Sequence, residues 1–330
     1  AASGVWDLSE QYDLRRGGNW PETGNAAPLG IFVGGRNTSN AYVSDYEKII
    51  ISTAGDGTDY GDLTAVRRGS GCLANGTRGI FVAGSNSSNA ATNEIEYIAI
   101  LSGGTAQDFG DLAMSAARHQ YIHGCLSNAT RGCVTPATNN VDTIEYVTIG
   151  TLGNSTDFGN LSVDRFNNGT AASTTRGIIY SGDDGSRSNV IDYITIGSTG
   201  NATDFGNATT ASYAISGLAS STRGCFSLGN VGSGGSGAGK QIDYITIAST
   251  GNAADFGDLV NNKLYPQGSS PSSSTRGVFA IDGDFEDAVV GAAYLDFITI
   301  ASTGNATSFG NLSIQNGIGV GGTSNVHGGL

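Results

Sequence analysis

Apolar and polar positions along this chain alternate in short runs, and one run recurs. It is clearest over residues 190–207, VIDYITIGSTGNATDFGN. Within it Ile191, Tyr193 and Thr195 point to one side and Ile194 and Ile196 to the other. Apolar groups on both faces predict a short strand covered on both sides rather than half solvated. The Gly-, Asn- and Ser-rich stretch at 198–202 then reads as a hairpin turn, followed by a strand carrying Asp204, Phe205 and Gly206. Two more strands complete the unit. One is the Gly-Ile-Phe-Val run at 30–33, repeated behind an arginine at 78–82, 176–180 and 276–280. The other is the glycine- and alanine-rich stretch at 69–76 or 213–220, which leads into the next Thr-Arg-Gly.

The residue before the aromatic–glycine pair is Asp59, Asp108, Asp157, Asp204, Asp255 and then Ser308, at steps of 49, 49, 47, 51 and 53 residues. Six such copies form an array in which no unit can bury a core alone and each must stack on its neighbours. Four strands per unit, six units and two covered faces predict an all-β, six-bladed β-propeller over residues 29–330. A parallel β-helix is the alternative, with coils usually shorter than this period. The chain enters at the 30–33 strand without a preceding partner, and the stretch 313–322, SIQNGIGVGG, copies that missing partner. The last strand is therefore expected to complete the first blade and remove an open edge. Residues 1–28 form an N-terminal arm with both tryptophans, Trp6 and Trp20, and one or two helical turns between Ser9 and Arg16. The arm reads either as packing on the body or as an attachment peptide.

Composition narrows the partners. The 52 glycines and 5 prolines in 330 residues suit many tight turns. A net charge of −13 disfavours nucleic acid and anionic membrane surfaces. No apolar run approaches the roughly 18 residues of a bilayer span, so no membrane insertion is expected, and the opening residues do not read as a secretory signal. Cys72 and Cys125 lie five residues before a Thr-Arg-Gly, and Cys133 and Cys225 follow an Arg-Gly. They read as small buried strand residues, with a Cys125–Cys133 bridge as the alternative, and their spacing is not that of a zinc site.

Several constellations invite a chemical reading. Arg78, Arg131, Arg176, Arg223 and Arg276 recur once per unit, as do the strand acids Asp45, Glu96, Glu145, Asp192, Asp243 and Asp296. Arginine suits bidentate pairing with carboxylates at partly buried positions, so the expectation is an Arg–carboxylate pair tying neighbouring strands; a charged ring for a ligand is the other reading. Eleven Asn-x-Ser/Thr triplets fall mostly in the repeated turns, where asparagine suits a positive φ. Asp183-Asp184 and the DGDFED stretch at 282–287 are acidic clusters, and the second could hold Ca²⁺. The three histidines, His119, His123 and His327, are too few and badly placed for a triad or a copper site. No enzyme signature and no cofactor are expected.

The copies diverge unevenly. In a four-stranded antiparallel blade the first and third turns share one face and the other connections share the opposite one. On the first face the turns are near-identical, as in SNATR and STGNA. The connections within 36–44, 85–93, 137–143, 183–190, 230–241 and 282–294 differ in every copy. Loops are where scaffolds place recognition, which makes Asn37, Asn86, Asn139, Asp184, Lys240, Asp284 and Glu286 candidate binding-face residues.

The Arg-Gly and Ile-Phe-Val-Gly-Gly at 31–35, the Asp-Tyr strand, the aromatic-plus-Leu strand and then Arg67 resemble kelch repeats, with Phe or Tyr in place of the kelch tryptophan. The wording of the repeat over about 29–322 is similar to repeats in virion proteins of phages of cyanobacteria and marine bacteria. The opening, GVWDLSEQYDLRRGGNWP at 4–21, resembles the leader of many tailed-phage structural proteins. The resemblance implies a virion protein of tail-fibre or receptor-binding type, multimeric in the particle. It implies contact with other virion proteins through the arm, and with a host surface glycan or protein through the variable loops. A purely structural decoration protein and a propeller hydrolase or oxidase are the alternatives.

Overall fold

Each apolar run is followed by a turn too short for the chain to do anything but return beside itself, and the repeat folds as consecutive antiparallel strands. The structure, a computed structural model, describes residues 27–37, 39, 41–113, 124–138, 141–231, 239–263, 268–281, 293–313 and 320–330. The arm therefore lies outside the described residues apart from Ala27 and Pro28.

The first blade contains β1 (Leu29–Val33), β2 (Val43–Ile50) and β3 (Thr58–Arg67). The second holds β4 (Gly71–Ala74), β5 (Arg78–Ser85), β6 (Ala91–Ala99) and β7 (Gln107–Asp111). The third holds β8 (Cys125–Ser127), β9 (Arg131–Val134), β10 (Thr143–Thr148) and β11 (Thr156–Asn160). The fourth is β12 (Gly169–Ala172), β13 (Arg176–Asp183), β14 (Arg187–Thr195) and β15 (Thr203–Asn207). The fifth is β16 (Ser216–Ala219), β17 (Arg223–Ser227), β18 (Gly239–Thr246) and β19 (Ala254–Lys263). The sixth has β20 (Arg276–Ile281), β21 (Ala293–Thr299) and β22 (Thr307–Leu312). The last strand, β23 (Gly321–Ser324), pairs with β1 as the inner strand of the first blade. The fold is a six-bladed β-propeller, as the period predicts.

The inner strand of the sixth blade is reduced to a bridge between Ser272 and Gly277 and a bond from the Val278 amide to the Pro271 carbonyl, 3.0 Å. Pro271 has no amide hydrogen to give, which interrupts the ladder at that point.

The aromatic–glycine pair of the repeat is a β-bulge. In the fourth blade Ile191 faces Gly206 but Asp192 faces Asp204, so Phe205 is an extra residue on the outer strand, and the same shift occurs in all six blades. A bulge re-aims a side chain. Phe205 turns inward to 2 % exposure and meets the Tyr193 ring edge-on at 6.2 Å. Gly206 has φ +147°, and a side chain there would run into the Gly251 carbonyl of the next blade.

The core is a stack of layers between blades. One joins Ile178, Tyr180, Ile191 and Phe205 to Phe226, Leu228 and Ile245 of the next blade. Another joins Phe32, Ile49 and Ile51 of the first blade to Val278, Leu295 and Phe309 of the sixth, closing the ring. Closure is as expected, with Gly30 facing Ser324 and Val33 facing Gly321. The closing strand falls at Gly321–Ser324 rather than over 313–322, because Leu312 still belongs to the outer strand of the sixth blade; residues 314–319 lie outside the described residues. Asn325 follows and accepts the Leu29 amide at 2.8 Å.

Removing residues 320–330 strips β1 of its inner partner, leaves it paired with β2 alone and exposes a strand edge. The truncated protein is expected to aggregate or to melt well below the full chain. Size-exclusion chromatography beside a melting curve checks this, and an unchanged monomer with an unchanged Tm would contradict it.

Candidate functional site

The five repeated arginines do not pair with the strand acids. Arg78 Nη1 donates to the Ile149 carbonyl at 2.7 Å, Arg131 to Ile196 at 2.9 Å, Arg176 to Ile247 at 2.8 Å and Arg223 to Ile300 at 2.9 Å. Arg276 reaches Ile51 at 3.2 Å and Ser52 at 2.9 Å, in the first blade. Every acceptor is a backbone carbonyl of the following blade. Each guanidinium also lies over an aromatic ring of its own blade, 4.3–4.5 Å from Tyr97, Tyr146, Tyr193, Tyr244 or Phe297. A cation on a ring face is held electrostatically, which aims the fork at the neighbour. Leu29 occupies the arginine position of the first blade, and there the Tyr60 hydroxyl bonds the Ile100 carbonyl at 3.2 Å with Lys48 over the Tyr60 ring.

The turn asparagines do similar work through their side chains, and not through a positive φ. Asn201 Oδ1 accepts the Asn160 amide at 3.1 Å, Asn252 that of Asn207 at 3.0 Å and Asn305 that of Asp258 at 3.1 Å, each across to the preceding blade. Asn128 accepts the Thr130 and Arg131 amides and donates to Thr174 of the next blade. The positive angles in these turns belong to glycines, such as Gly200 at +155° and Gly251 at +157°.

The strand acids are buried, and they hold the crossover arriving from the preceding blade. In the first blade the buried carboxylate is Glu47, not Asp45, because Glu47 faces Asp59 just as Asp192 faces Asp204. Glu47, Glu96, Glu145, Asp192, Asp243 and Asp296 are at most 3 % exposed. Asp192 accepts the Ser162 amide at 3.0 Å and hydroxyl at 2.7 Å; Asp243 does the same for Thr209, and Glu47 for Ser313. Arginine–carboxylate pairing does occur, but the arginines are Arg67 and Arg165 and not the five of the repeated Arg-Gly, while Glu96 and Asp192 are repeated strand acids. Arg165 meets Asp192 at 3.0 Å with both side chains fully buried, and Arg67 pairs with Glu94 and Glu96.

Five inner strands of small residues and the Ser272 segment of the sixth blade crowd the axis. Among the described residues a partly open pocket of about 40 Å³ lies there, lined by Cys72, Cys125, Thr170, Ser270 and Thr323 among others. A water needs on the order of 10–15 Å³, so this is room for a few waters, far below the several hundred Å³ of a small-molecule site. The four cysteines are free and buried. Burial pushes the thiols of Cys133 and Cys225 up to about 12 and raises those of Cys72 and Cys125 as well. None supplies a thiolate at neutral pH.

His327 stands at the end of this axis. Its Nδ1 accepts the Gly329 amide at 3.1 Å, while Nε2 donates to the Ala74 carbonyl at 2.9 Å and lies 3.2 Å from Ser127 Oγ. The two bonds fix a neutral ring, and burial holds its pKa below the ordinary value. Among the described residues no group of His, Cys, Asp or Glu is placed to hold a metal ion. His119, His123 and the 282–287 acidic stretch lie outside the described residues.

On the opposite face Asn37 Oδ1 accepts the Ser39 and Ala41 amides and Asn86 Oδ1 those of Ser88 and Ala90, so both stiffen their own hairpins. Asp184 caps the Ser186 amide at 3.1 Å and stands exposed, and Lys240, also exposed, donates to the Val260 carbonyl at 2.9 Å. Asn139, Asp284 and Glu286 lie outside the described residues. The 183–190 connection is shorter than expected, since the ladder runs on to Asp183 facing Arg187. Sequence reading missed an Arg–Tyr–Arg group at this face. Arg36 and Arg68 lie 5.1 and 5.2 Å from the Tyr42 ring centre, and Asn89 Oδ1 accepts from both Tyr42 and Arg68.

The fold defines a six-bladed β-propeller with two unlike faces, one of repeated turns and one of variable connections. No known family model matches the chain, and no curated protein is similar to it.

Arg176→Ala removes a charge-assisted bond between blades and is expected to lower stability by about 2 kcal/mol. Asp192→Asn leaves Arg165 buried opposite a neutral partner and should cost more, about 3–5 kcal/mol. Denaturant titration of the two variants checks the order. The His327 contribution is fully present above the unfolded value of about 6.5 and is lost as pH falls through the depressed folded value, because the unfolded state then binds the proton more readily. Tm is expected to fall across that window in the full chain and to fall less in His327→Gln.

Proposed function

We propose that this chain is a non-enzymatic binding protein of a tailed-phage particle. The propeller faces outward and touches a host surface glycan, or another virion protein, through the variable face. Residues 1–28 mount it on other virion proteins. One observation carries the reading. Arginines on one face reach the next blade and turn asparagines the preceding one, whereas the connections on the other differ from blade to blade and present exposed polar groups. The resemblance of the repeat and of the opening stretch to phage virion proteins supplies the particle. Several copies on one particle would add weak contacts through effective concentration.

A second reading, a purely structural decoration protein of capsid or tail, is favoured by the way Asn37 and Asn86 turn inward on their own hairpins. The two readings part on adsorption. Trimming within the two longest connections, over 232–238 and 282–292 and so short of the strands that flank them, is expected to slow attachment to host cells at least tenfold while Tm stays within about 2 °C, since loop-closure entropy changes slowly with length. Replacing the turn at 198–202 is expected to do the reverse. Adsorption unchanged after both trims would leave the decoration reading in place of this one.

A further inference from the structure

The residues that follow β23 lie across the turn-face end of the axis. Asn325 clamps them to the start of β1, accepting the Leu29 amide at 2.8 Å and donating its own amide to the Leu29 carbonyl at 3.3 Å. His327 then reaches the second and third blades through the Ala74 carbonyl and Ser127 Oγ. The Gly328 amide bonds the Ala219 carbonyl of the fifth blade at 3.1 Å, and the Leu330 amide turns back to the His327 carbonyl at 3.0 Å. The fit is close, since a side chain at Gly328 would run into the Ala172 and Ser220 carbonyls. His327 and Gly328 form part of the wall of the axial pocket, beside Cys72, Cys125 and Thr170.

One side chain ties this segment to a single protonation state. A carbonyl can only accept, so Nε2 carries the hydrogen that meets Ala74, and Nδ1 is bare to receive the Gly329 amide. With its hydrogen on Nε2, the ring is no base for the Ser127 hydroxyl beside it. A second proton lands on Nδ1, sets it donor against donor with the Gly329 amide and breaks that bond.

The proton also brings a charge that nothing there balances. On the strands bonded to the ring, β4 and β8, the titratable groups are Cys72 and Cys125, both held neutral by burial. The neighbouring inner strands β12 and β16 carry none. Arg78 and Arg131, next along the chain, are committed to the Ile149 and Ile196 carbonyls and are themselves cations. Among the described residues no carboxylate, that of Leu330 included, pairs with the ring. A charge left without a partner in such surroundings is costly. His327 keeps part of its surface in solvent, so a proton reaches it without unfolding of the blades.

We propose that residues 326–330, hinged at Asn325, are an acid-opened latch: protonation of His327 at Nδ1 releases them from the second, third and fifth blades and opens the axial pocket on the turn face while the blades stay folded. The latch goes beyond the binding reading and does not depend on it. Because the closed segment holds the neutral ring, it is shut above the ordinary histidine value of about 6.5 and opens as pH falls through the lower value of the fold. Local opening of this kind needs less free energy than global unfolding.

Amide hydrogen exchange of the full chain, each rate divided by the intrinsic rate at that pH, tests the latch. Between about pH 7.5 and 5 the Gly328 and Gly329 amides are expected to lose protection by about tenfold or more, while those of β5 and β23 keep theirs. In His327→Gln, which offers Ala74 a donor and takes no proton, Gly328 and Gly329 should stay protected across the window. Labelling of Cys72 and Cys125 by a dipyridyl disulfide, which reacts with thiols in acid, should speed up in the full chain and not in the variant. Protection that does not change with pH, a loss shared by β5, a loss that persists in His327→Gln, or thiols no more reactive in acid would each overturn the proposal. Should His327→Gln fail to fold or to close, the ring titration of His327 followed by NMR in the full chain decides. Its midpoint must coincide with the loss of Gly328 protection, and separate midpoints would overturn the latch.

Discussion

A carboxylate sits buried in the third strand of every blade, and the ring depends on it. Taking an ionised group out of water costs several kcal/mol unless hydrogen bonds replace its hydration. Here the replacement comes from the preceding blade. The amide and hydroxyl of Ser162, Thr209 or Ser313 point at Asp192, Asp243 or Glu47 at the place where the chain leaves one blade for the next. The acid thus fixes where the crossover begins, and a fixed crossover sets where the following inner strand can lie. Asp243 also accepts from Gln241 and Glu145 from Ser155 within their own blades, but the bonds from Ser162, Thr209 and Ser313 form only where two blades meet, which favours the assembled ring over any single unit.

Other features follow from that anchor. The register shifts by one residue at the acid in every blade, which makes the aromatic before the glycine turn inward under the strand that carries the carboxylate. The same glycine must be bare because the next blade's turn closes on it; the Gly251 amide bonds the Phe205 carbonyl at 2.8 Å. The repeated arginines then tie the turn end of one blade to the next, from Arg78 round to Arg276 and the first blade. Acid, bulge, glycine and arginine are four consequences of one requirement, that a thin sheet be fixed at both ends to its neighbour.

This explains which parts were legible in the sequence. Period, strand order and closure show because each blade repeats the same contacts, and repetition is visible in letters. The partner of the ring arginines is not, since a backbone carbonyl has no letter of its own; Ile247 as acceptor looks like any other apolar residue. The blade-one acid was misplaced by two residues because Asp45-Tyr46 imitates the Asp-Tyr of later copies, while the bulge puts Glu47 opposite Asp59. Arg165 stands six residues after the bulge glycine, as Arg67 does, but Ser212 and Lys263 stand there in the next two copies, so repetition does not single it out. At the candidate face Asn37 and Asn86 stand in connections that diverge between copies, yet they serve their own hairpins. The Arg36–Tyr42–Arg68 group was invisible because its members come from two connections that only the ring brings together.

The two faces therefore answer to different constraints. On the turn face the repeated arginines and turn asparagines reach into an adjacent blade, so a change at those positions disturbs two blades at once. On the opposite face the hairpins leave strands whose register is already set by the buried acid and the bulge. A substitution at a hairpin tip alters what the surface presents without moving the ladder beneath it. Small inner-strand residues close the axis, with Ser269 bonded both to Cys72 and to Gly322 across it, and no room is left there for a ligand of saccharide size. A ring built this way can diversify only where its connections are free, and that is where its arginines and tyrosines gather outside the repeat.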